Sequence, residues 1–252
     1  MTTGEMAWLL AHGGVVALIL ARVLGMAWTA PALATPGVDS RARLILGALL
    51  AAVLIPSVGP QLAAPLGWED LARACLAELA VGAALGWSAS LIIAGARQAG
   101  ELVGAQAGLS AAALFDPEAG EELTPLGHWY ALVALGTFLA LDGPIALMRA
   151  VVQSYEVVPV GSLALTTETV QRAFGQVGAA LELALRAAAP PALALALAGL
   201  AIGLLGRAAP SLQLVSLSMP IRAALGMLLF GLAMAALVAT LTTAWGRWPG
   251  GY

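Results

Sequence analysis

Apolar residues occur along this chain in long runs, which are separated by short segments containing proline, glycine or charged residues. About 20 apolar residues in a helix span a hydrocarbon layer of about 30 Å, and backbone groups facing lipid must be paired within the segment. We therefore interpret each run as a membrane helix. The pattern predicts an all-α, polytopic helical membrane protein, one domain over residues 1–252, with candidate helices at 8–30, 44–58, 71–93, 129–148, 177–205 and 221–245.

The longest polar interruption of the apolar pattern lies at residues 104–125, between the third and fourth candidate helices. It contains the turn-like sequence Phe115-Asp116-Pro117, in which proline disfavours a helical conformation of the residue before it. The acidic side chains of this segment are Asp116, Glu118, Glu121 and Glu122. We therefore predict a long loop between these two helices.

The composition supports a membrane protein and argues against an enzyme. Hydrophobic residues make up 61% of the chain and charged residues 10%, whereas soluble domains contain about half apolar and about a quarter charged residues. The single cysteine, Cys75, and the two histidines, His12 and His128, belong to no metal or nucleophile motif. We expect no catalytic site, metal or cofactor. A net charge of −3 without runs of like charge indicates no nucleic-acid partner.

Glycines recur at intervals of four residues, which places them on one helix face and permits close approach of a second backbone. The sets are Gly82 with Gly86, Gly199 with Gly203, and Gly100 with Gly104 and Gly108. Some such pairs arise by chance, because the chain contains 29 glycines. The spacing leaves two alternatives open, packing within the chain and packing against another subunit.

Charged residues inside apolar segments each need a partner, because placing one at a helix centre costs about 2.5 to 3.5 kcal/mol. Spacing of four residues predicts three local ion pairs: Glu182 with Arg186, Glu101 with Arg97, and Glu69 with Arg73. Glu78 and Asp142 have no such neighbour. An intramembrane carboxylate can carry protons, so the alternative hypothesis is a proton-coupled transporter of a small solute that uses Asp142 or Glu78.

Two observations place the transporter hypothesis second. Asp142 stands in the sequence Leu141-Asp142-Gly143-Pro144, where we expect a turn or helix break that the aspartate caps. Secondary transporters are commonly built from two related halves, and this chain contains no convincing internal repeat.

Several short motifs follow one another in the order and at the intervals of one known family. They are Gly100-Glu101-Leu102-Val103-Gly104, Phe115-Asp116-Pro117, Leu141-Asp142-Gly143, Val158-Pro159-Val160-Gly161, Gly206-Arg207-Ala208-Ala209-Pro210 and Ser218-Met219-Pro220-Ile221. With these motifs the chain resembles the FliR/SctT family of flagellar and type III secretion export-gate proteins. It departs from the family pattern at Pro144, where histidine is common, and at Ser211 and Gln213.

The resemblance implies a subunit of the bacterial type III protein export gate, with its helices arranged as hairpins in a larger helical complex. It implies a place in the bacterial inner membrane, in either a flagellar basal body or an injectisome base. The implied partners are FliP-like and FliQ-like subunits, a FlhB/SctU-like switch protein, unfolded exported proteins and membrane lipid. The family signature falls on Glu101, Asp142, Gly143, Pro159, Arg207, Pro210 and Pro220.

The resemblance also implies that the loop at 104–125 contributes to a plug that closes the resting pore. Its composition suits this role, since glycine permits close packing, apolar side chains can fill a constriction and Asp-Pro favours a turn. The candidate plug residues are Gly104, Gly108, Leu109, Leu114, Phe115, Asp116 and Pro117. An alternative of similar weight is that Phe115 anchors an ordinary loop against the helices.

Overall fold

Seven α-helices form the computed structural model of this chain, which describes residues 13–31, 33, 39–59, 68–109, 124–161, 167–208 and 214–248. These ranges contain no β-strand. In chain order the helices are α1 (Gly13–Thr29), α2 (Ser40–Val58), α3 (Trp68–Gln106), α4 (Pro125–Ala140), α5 (Gly143–Val157), α6 (Thr167–Ala208) and α7 (Leu214–Gly246). The prediction of an all-α fold is confirmed.

Several of the helices are suited to a membrane. In the described ranges, four helices (α2, α3, α6 and α7) are long and apolar enough to cross one, and the bent pair α4 and α5 gives a fifth span if it is counted as one. Helix α1 is apolar with 17 described residues, and the part of candidate helix 8–30 before Gly13 lies outside the described residues. A polytopic helical membrane protein is therefore confirmed, and the count of six helices is approximate.

The structure corrects the continuous helix that the apolar pattern predicts at 129–148. The chain breaks between α4 and α5, at Leu141 and Asp142. Asp142 has a left-handed backbone with φ of 52°, and Pro144 occupies the first turn of α5. Proline has no N–H to donate and its ring collides with the carbonyl four residues earlier, so it disfavours continuation of α4 and is favoured in the first turn of a new helix.

Several helices extend beyond the apolar runs that predict them, and the extensions of α3 and α6 are the longest. Helix α3 continues past the run at 71–93 and ends at Gln106, while α6 begins at Thr167, before the run at 177–205. The extension of α3 contains alanine, arginine, glutamine, glutamate and leucine, which favour helix although several of them are polar. As a result Gly104, which the sequence assigns to a loop, lies within a helix.

The first of two compact units contains α1, α2, α5 and parts of α3 and α6. Helices α1 and α2 pack against each other, and α1 also touches α3 backbone to backbone. A Cβ atom on Gly25 would overlap the carbonyl oxygen of Leu79, and one on Gly82 would overlap the carbonyl oxygen of Arg22. Glycine at these positions allows the close approach. The pair Gly82 and Gly86 therefore packs within the chain.

The second unit contains α4, α7 and the remaining parts of α3 and α6. Helices α4 and α7 pack through two aromatic pairs. The ring centroids of Tyr130 and Phe230 are 5.3 Å apart, and those of Phe138 and Trp245 are 4.8 Å apart. Such tilted pairs contribute about 0.5–1.5 kcal/mol each beyond the area they bury. They fix the side-by-side position of the two helices within this unit.

Most of the apolar surface of α6 and α7 is not buried within the chain. In the most apolar window of each helix, 17% of the residues are buried. The exposed leucines of α6 include Leu193, Leu197, Leu200 and Leu204, whose side chains are between 65% and 69% exposed. An apolar surface of this size is not maintained in water. It must therefore face lipid or other protein chains.

Replacing Gly82 with leucine is expected to disrupt the contact between α1 and α3, because any side chain there overlaps the Arg22 carbonyl. Overpacking of this kind costs about 1–3 kcal/mol. We expect a lower melting temperature of the detergent-solubilised protein. Gly136→Leu is the matched control, since a Cβ atom on Gly136 has no neighbour within 4 Å. Equal loss of stability in both variants would contradict the close contact.

Candidate functional site

A fully buried ion pair lies at the centre of the first unit. Arg22 on α1 is 0% exposed and Glu78 on α3 is 1% exposed. The arginine Nε is 2.5 Å from Oε2 of the glutamate, and its Nη2 is 3.1 Å from Oε1. This is the bidentate geometry in which a guanidinium and a carboxylate bind most strongly. The pair joins α1 to α3.

The remaining polar atoms of Arg22 and Glu78 bind residues in and after α5. Nη1 of Arg22 donates to Oγ of Ser154 at 2.8 Å, and Nη2 also donates to the carbonyl of Val158 at 3.3 Å. The guanidinium carbon lies 3.8 Å from the centre of the Tyr155 ring. Oε1 of Glu78 accepts from the backbone N–H of Gly161 at 2.9 Å. We call these six residues the buried charge network.

The geometry of Ser154 shows how the charge of Arg22 is satisfied. Its hydroxyl donates to the carbonyl of Val151 at 2.6 Å, so the oxygen presents a lone pair to Arg22. Buried charges are tolerated when each is paired and hydrogen-bonded. The network thus ties α1, α3, α5 and the turn after α5 into one unit.

The buried charge network corrects the view of Glu78 as a carboxylate without a partner. Both of its oxygens are engaged, one by Arg22 and the other by Arg22 and Gly161. A proton carrier must exchange its proton with water, and this side chain is 1% exposed. In the described part of the chain, nothing supports the proton-coupled transporter that the sequence left as an alternative.

Asp142, the other candidate proton carrier, lies at the helix break and is exposed. Its backbone carbonyl accepts hydrogen bonds from the N–H groups of Ile145 and Ala146, at 2.9 and 3.0 Å. Its side chain makes no capping hydrogen bond. The predicted turn is confirmed. The prediction that the aspartate side chain caps it is wrong, because the N–H groups at the start of α5 bind the backbone carbonyl of Asp142 and not its carboxylate.

One of the three predicted local ion pairs forms. Glu182 and Arg186 are 2.5 Å apart, with both side chains more than half exposed. Arg73 binds Asp70 at 2.7 Å instead of the carboxylate of Glu69. Exposed pairs of this type contribute at most about 1 kcal/mol. They help solvate the helix surfaces but do not determine the fold.

The third predicted pair is replaced by a contact that joins α3 to the start of α4. The carboxylate of Glu101 accepts from the backbone N–H of Thr124, at 3.0 Å to Oε1 and 3.3 Å to Oε2. Thr124 in turn caps α4, since its Oγ1 accepts from the N–H of Gly127 at 3.1 Å. A Cβ atom on Gly104 would overlap the Thr124 side chain. We call Glu101, Gly104 and Thr124 the loop base.

The loop base lies where the predicted plug loop begins and ends. Gly108 follows the last turn of α3 with φ of 77°, a left-handed conformation that favours glycine and ends a helix. Leu109 is the last residue described before the loop. The other candidate plug residues, Leu114, Phe115, Asp116 and Pro117, lie outside the described residues. Their role as a plug stays a prediction.

Most of the described family-signature residues lie at or near helix ends. Glu101 belongs to the loop base, Asp142 and Gly143 form the break before α5, and Pro159 follows α5. Arg207 lies in the last turn of α6, where its charge is favourable at the helix carboxyl end. Pro220 lies inside α7. Pro210 is outside the described residues.

Sequence reasoning missed the buried charge network, although one signal was present. Arg22 and Glu78 are isolated charges of opposite sign in two separate apolar runs. Searching for partners at helical spacing overlooks such a pair, because its members are 56 residues apart. Two lone opposite charges in different apolar helices predict a contact between those helices.

Comparison with known proteins places the chain in a family. A family model described as bacterial export proteins, family 1, matches residues 14–248. The flagellar biosynthetic protein FliR of Escherichia coli (strain K12) is 30% identical over 216 residues, covering 85% of this chain and 82% of that protein. FliR of Pectobacterium carotovorum is 27% identical over 213 residues, covering 84% and 81%. The Yop proteins translocation protein T of Yersinia pestis is 30% identical over 154 residues, covering 60% and 59%.

The helices and their exposed apolar faces define a multi-pass, all-α integral membrane protein. Within that class, the chain belongs to the bacterial export proteins, family 1, the FliR/SctT family. It is a subunit of a type III protein export apparatus, flagellar or of the injectisome. The family predicted from the ordered motifs is confirmed.

Removing one member of the buried ion pair is expected to destabilise the protein strongly. Arg22→Met leaves Glu78 buried without its cation, and Glu78→Met leaves the arginine without its anion. Each change should cost about 3–5 kcal/mol, while the double variant, which buries no charge, should cost clearly less than the sum. Melting of the four purified proteins in detergent measures this coupling.

The exposed pair provides the control for that cycle. Glu182→Met with Arg186→Met should change stability by less than about 1 kcal/mol. If the losses of Arg22→Met and Glu78→Met simply add in the double variant, the two side chains do not act as a pair.

Proposed function

We propose that this chain forms part of the wall of the type III export channel, through which unfolded proteins leave the cell. Its membership in the export apparatus supports this proposal. The observation that carries it is the exposed apolar surface of α6 and α7. In the most apolar window of each helix, 17% of the residues are buried within the chain. Such helices gain stability when neighbouring subunits cover them.

The proposed partners are FliP-like and FliQ-like subunits and a FlhB/SctU-like switch protein, in the bacterial inner membrane. The chain acts as one export-gate domain over residues 1–252. Alignment with the two FliR proteins covers 84% and 85% of the chain, and alignment with the Yersinia protein covers 60%. The longer coverage favours a flagellar apparatus over an injectisome.

In this proposal the chain itself performs no chemical step. The two most deeply buried charged side chains, Arg22 and Glu78, bind each other and the backbone. Among the described residues, no three His, Cys, Asp or Glu side chains lie close enough together to hold a metal ion. The energy for export is supplied by other components.

We further propose that the loop between α3 and α4 is the movable part of the gate. The loop base supports this, because it fastens the end of α3 to the start of α4. The left-handed conformation of Gly108 turns the chain away from α3 at this point. With both ends held, the apolar side chains Leu114 and Phe115 can close a constriction while the helices stay in place.

Replacing Leu114 and Phe115 together with glycine is expected to raise ion leakage through the assembled resting complex, because the apolar stopper is lost. Leakage can be measured as loss of membrane potential or as salt sensitivity of cells that contain the complex. The matched control is the double replacement of Glu118 and Glu121 with glycine, which changes the same loop at polar positions. Unchanged leakage in cells shown to contain the complex would rule out the plug.

Glu101→Ala tests the loop base separately. The variant removes a charge-assisted hydrogen bond to Thr124, a contact of about 1.5–3 kcal/mol, and should also raise resting leakage. Glu101→Gln keeps one acceptor oxygen and should leak less than the alanine variant. Glu182→Ala removes an exposed carboxylate of α6 and serves as control. Equal leakage from the wild type and Glu101→Ala would show that the loop does not depend on this contact.

Assembly can be tested directly by tagging the chain and purifying it in mild detergent. We expect FliP-like and FliQ-like subunits to co-purify, and deletion of the chain to abolish export of flagellar or secreted proteins. A chain that elutes as a stable monomer without partners, in cells that express them, would contradict the proposed role.

A further inference from the structure

An open groove runs between α6 and α7 in the second unit, with a volume of about 600 Å³. Its walls are mainly apolar, and the two polar side chains that line it are Gln106 and Arg222. The other residues used below are Gly199, Leu200, Gly203 and Leu204. Neither the buried charge network nor the loop base includes any of these residues.

Arg222 is half-buried in this groove, and one nitrogen of its guanidinium group is shielded without a partner in the described part of the chain. Its Nε is shielded from solvent and has no hydrogen-bond partner among the described residues. The guanidinium rests on α6 at Gly199, where a Cβ atom would lie 2.9 Å from Nη2. A hydrogen-bond donor that is shielded from water without a partner is costly, and a bound acceptor offsets that cost. The charge of the groove is therefore complementary to an anionic group.

The groove is lined by the end of α3, the second half of α6 and Arg222 of α7. Gln106 is the last residue of α3, and the guanidinium of Arg222 lies beside Gly199, nine residues before the end of α6. The lining residues of α6 extend from Leu195 to Leu204. The groove therefore combines a polar part, at Gln106 and Arg222, with an apolar wall along α6.

We propose that this groove binds an anionic phospholipid. The phosphate accepts hydrogen bonds from the guanidinium of Arg222 and from the carboxamide of Gln106. One acyl chain follows the exposed leucines of α6 that lie beside Arg222, which include Leu197 and Leu200. Basic pockets between membrane helices bind anionic headgroups in this manner, through charge-assisted hydrogen bonds combined with burial of the acyl chain.

The shape of the groove favours a lipid over a helix of a partner subunit. The closest approach of two helices is favoured by an uncovered stripe of small residues. Here Gly199 is already covered by Arg222, and only Gly203 has no neighbour within 4 Å. A flexible acyl chain needs no such stripe and can follow the leucine side chains. The proposal concerns lipid binding by the chain and does not depend on the gate function.

Lipid retention by the purified protein tests the proposal. The full-length chain, together with the subunits that accompany it, is mixed in mild detergent with equal amounts of phosphatidylglycerol and phosphatidylcholine that carry identical acyl chains. Native mass spectrometry then counts the bound lipids. We expect the wild type to retain phosphatidylglycerol in preference to phosphatidylcholine, and Arg222→Gln to lower that retention about fivefold.

Two further variants separate charge, shape and folding. Gly203→Leu keeps the arginine but fills the groove, in a position where a Cβ atom has no neighbour within 4 Å, and should also displace the lipid. If Arg222→Gln fails to assemble, the lipid retention of Gly203→Leu tests the proposal in its place. Arg149→Gln removes an exposed arginine of α5 and should retain phosphatidylglycerol like the wild type.

Three results would overturn the proposal. The first is equal retention of phosphatidylglycerol by the wild type, Arg222→Gln and Gly203→Leu. The second is equal retention of both lipids by the wild type, which would show that the headgroup charge is not recognised. The third is loss of a protein subunit from Arg222→Gln with unchanged lipid retention, which would identify the groove as a protein interface.

Discussion

The bidentate contact between Arg22 and Glu78 is the interaction on which the first unit depends. Both charges are removed from solvent, so each requires the other and the groups around it. The contact can form only because Gly25 and Gly82 let α1 and α3 approach at backbone distance. The small residues and the charges are thus parts of one arrangement, in which close packing positions an ion pair and the ion pair makes any other packing of these helices unfavourable.

The sequence predicted the fold class because apolar runs determine which segments are helices in a membrane, and its ordered motifs identified the family. It did not predict tertiary partners, since a run of leucine and alanine carries no information about what lies beside it. Glu78 has no partner at helical spacing because its arginine belongs to another helix. The break at Asp142 was predicted from the sequence around Pro144, which disfavours continuation of a preceding helix, although the candidate helix at 129–148 runs through it.

The two units differ in how their helices are stabilised within the chain. In the first, a network of hydrogen bonds around two paired charges specifies one arrangement of α1, α3 and α5. In the second, aromatic pairs join α4 to α7 while the leucines of α6 stay exposed. The first arrangement is specified by the chain alone. The second leaves apolar surface for lipid or neighbouring subunits, as expected of a component in a larger membrane assembly.

The contact between Glu101 and Thr124 also sets a geometric limit on the segment it closes. Residues 107–123, seventeen in number, connect α3 to Thr124, and each extended residue adds at most about 3.3–3.6 Å. Because both ends of this stretch are held at the loop base, its tip lies no farther than about 30 Å from the loop base. Each inserted or deleted residue changes this maximum distance by about 1.7 Å. The reach of this segment can therefore change with its length, without any change in the helices that hold it.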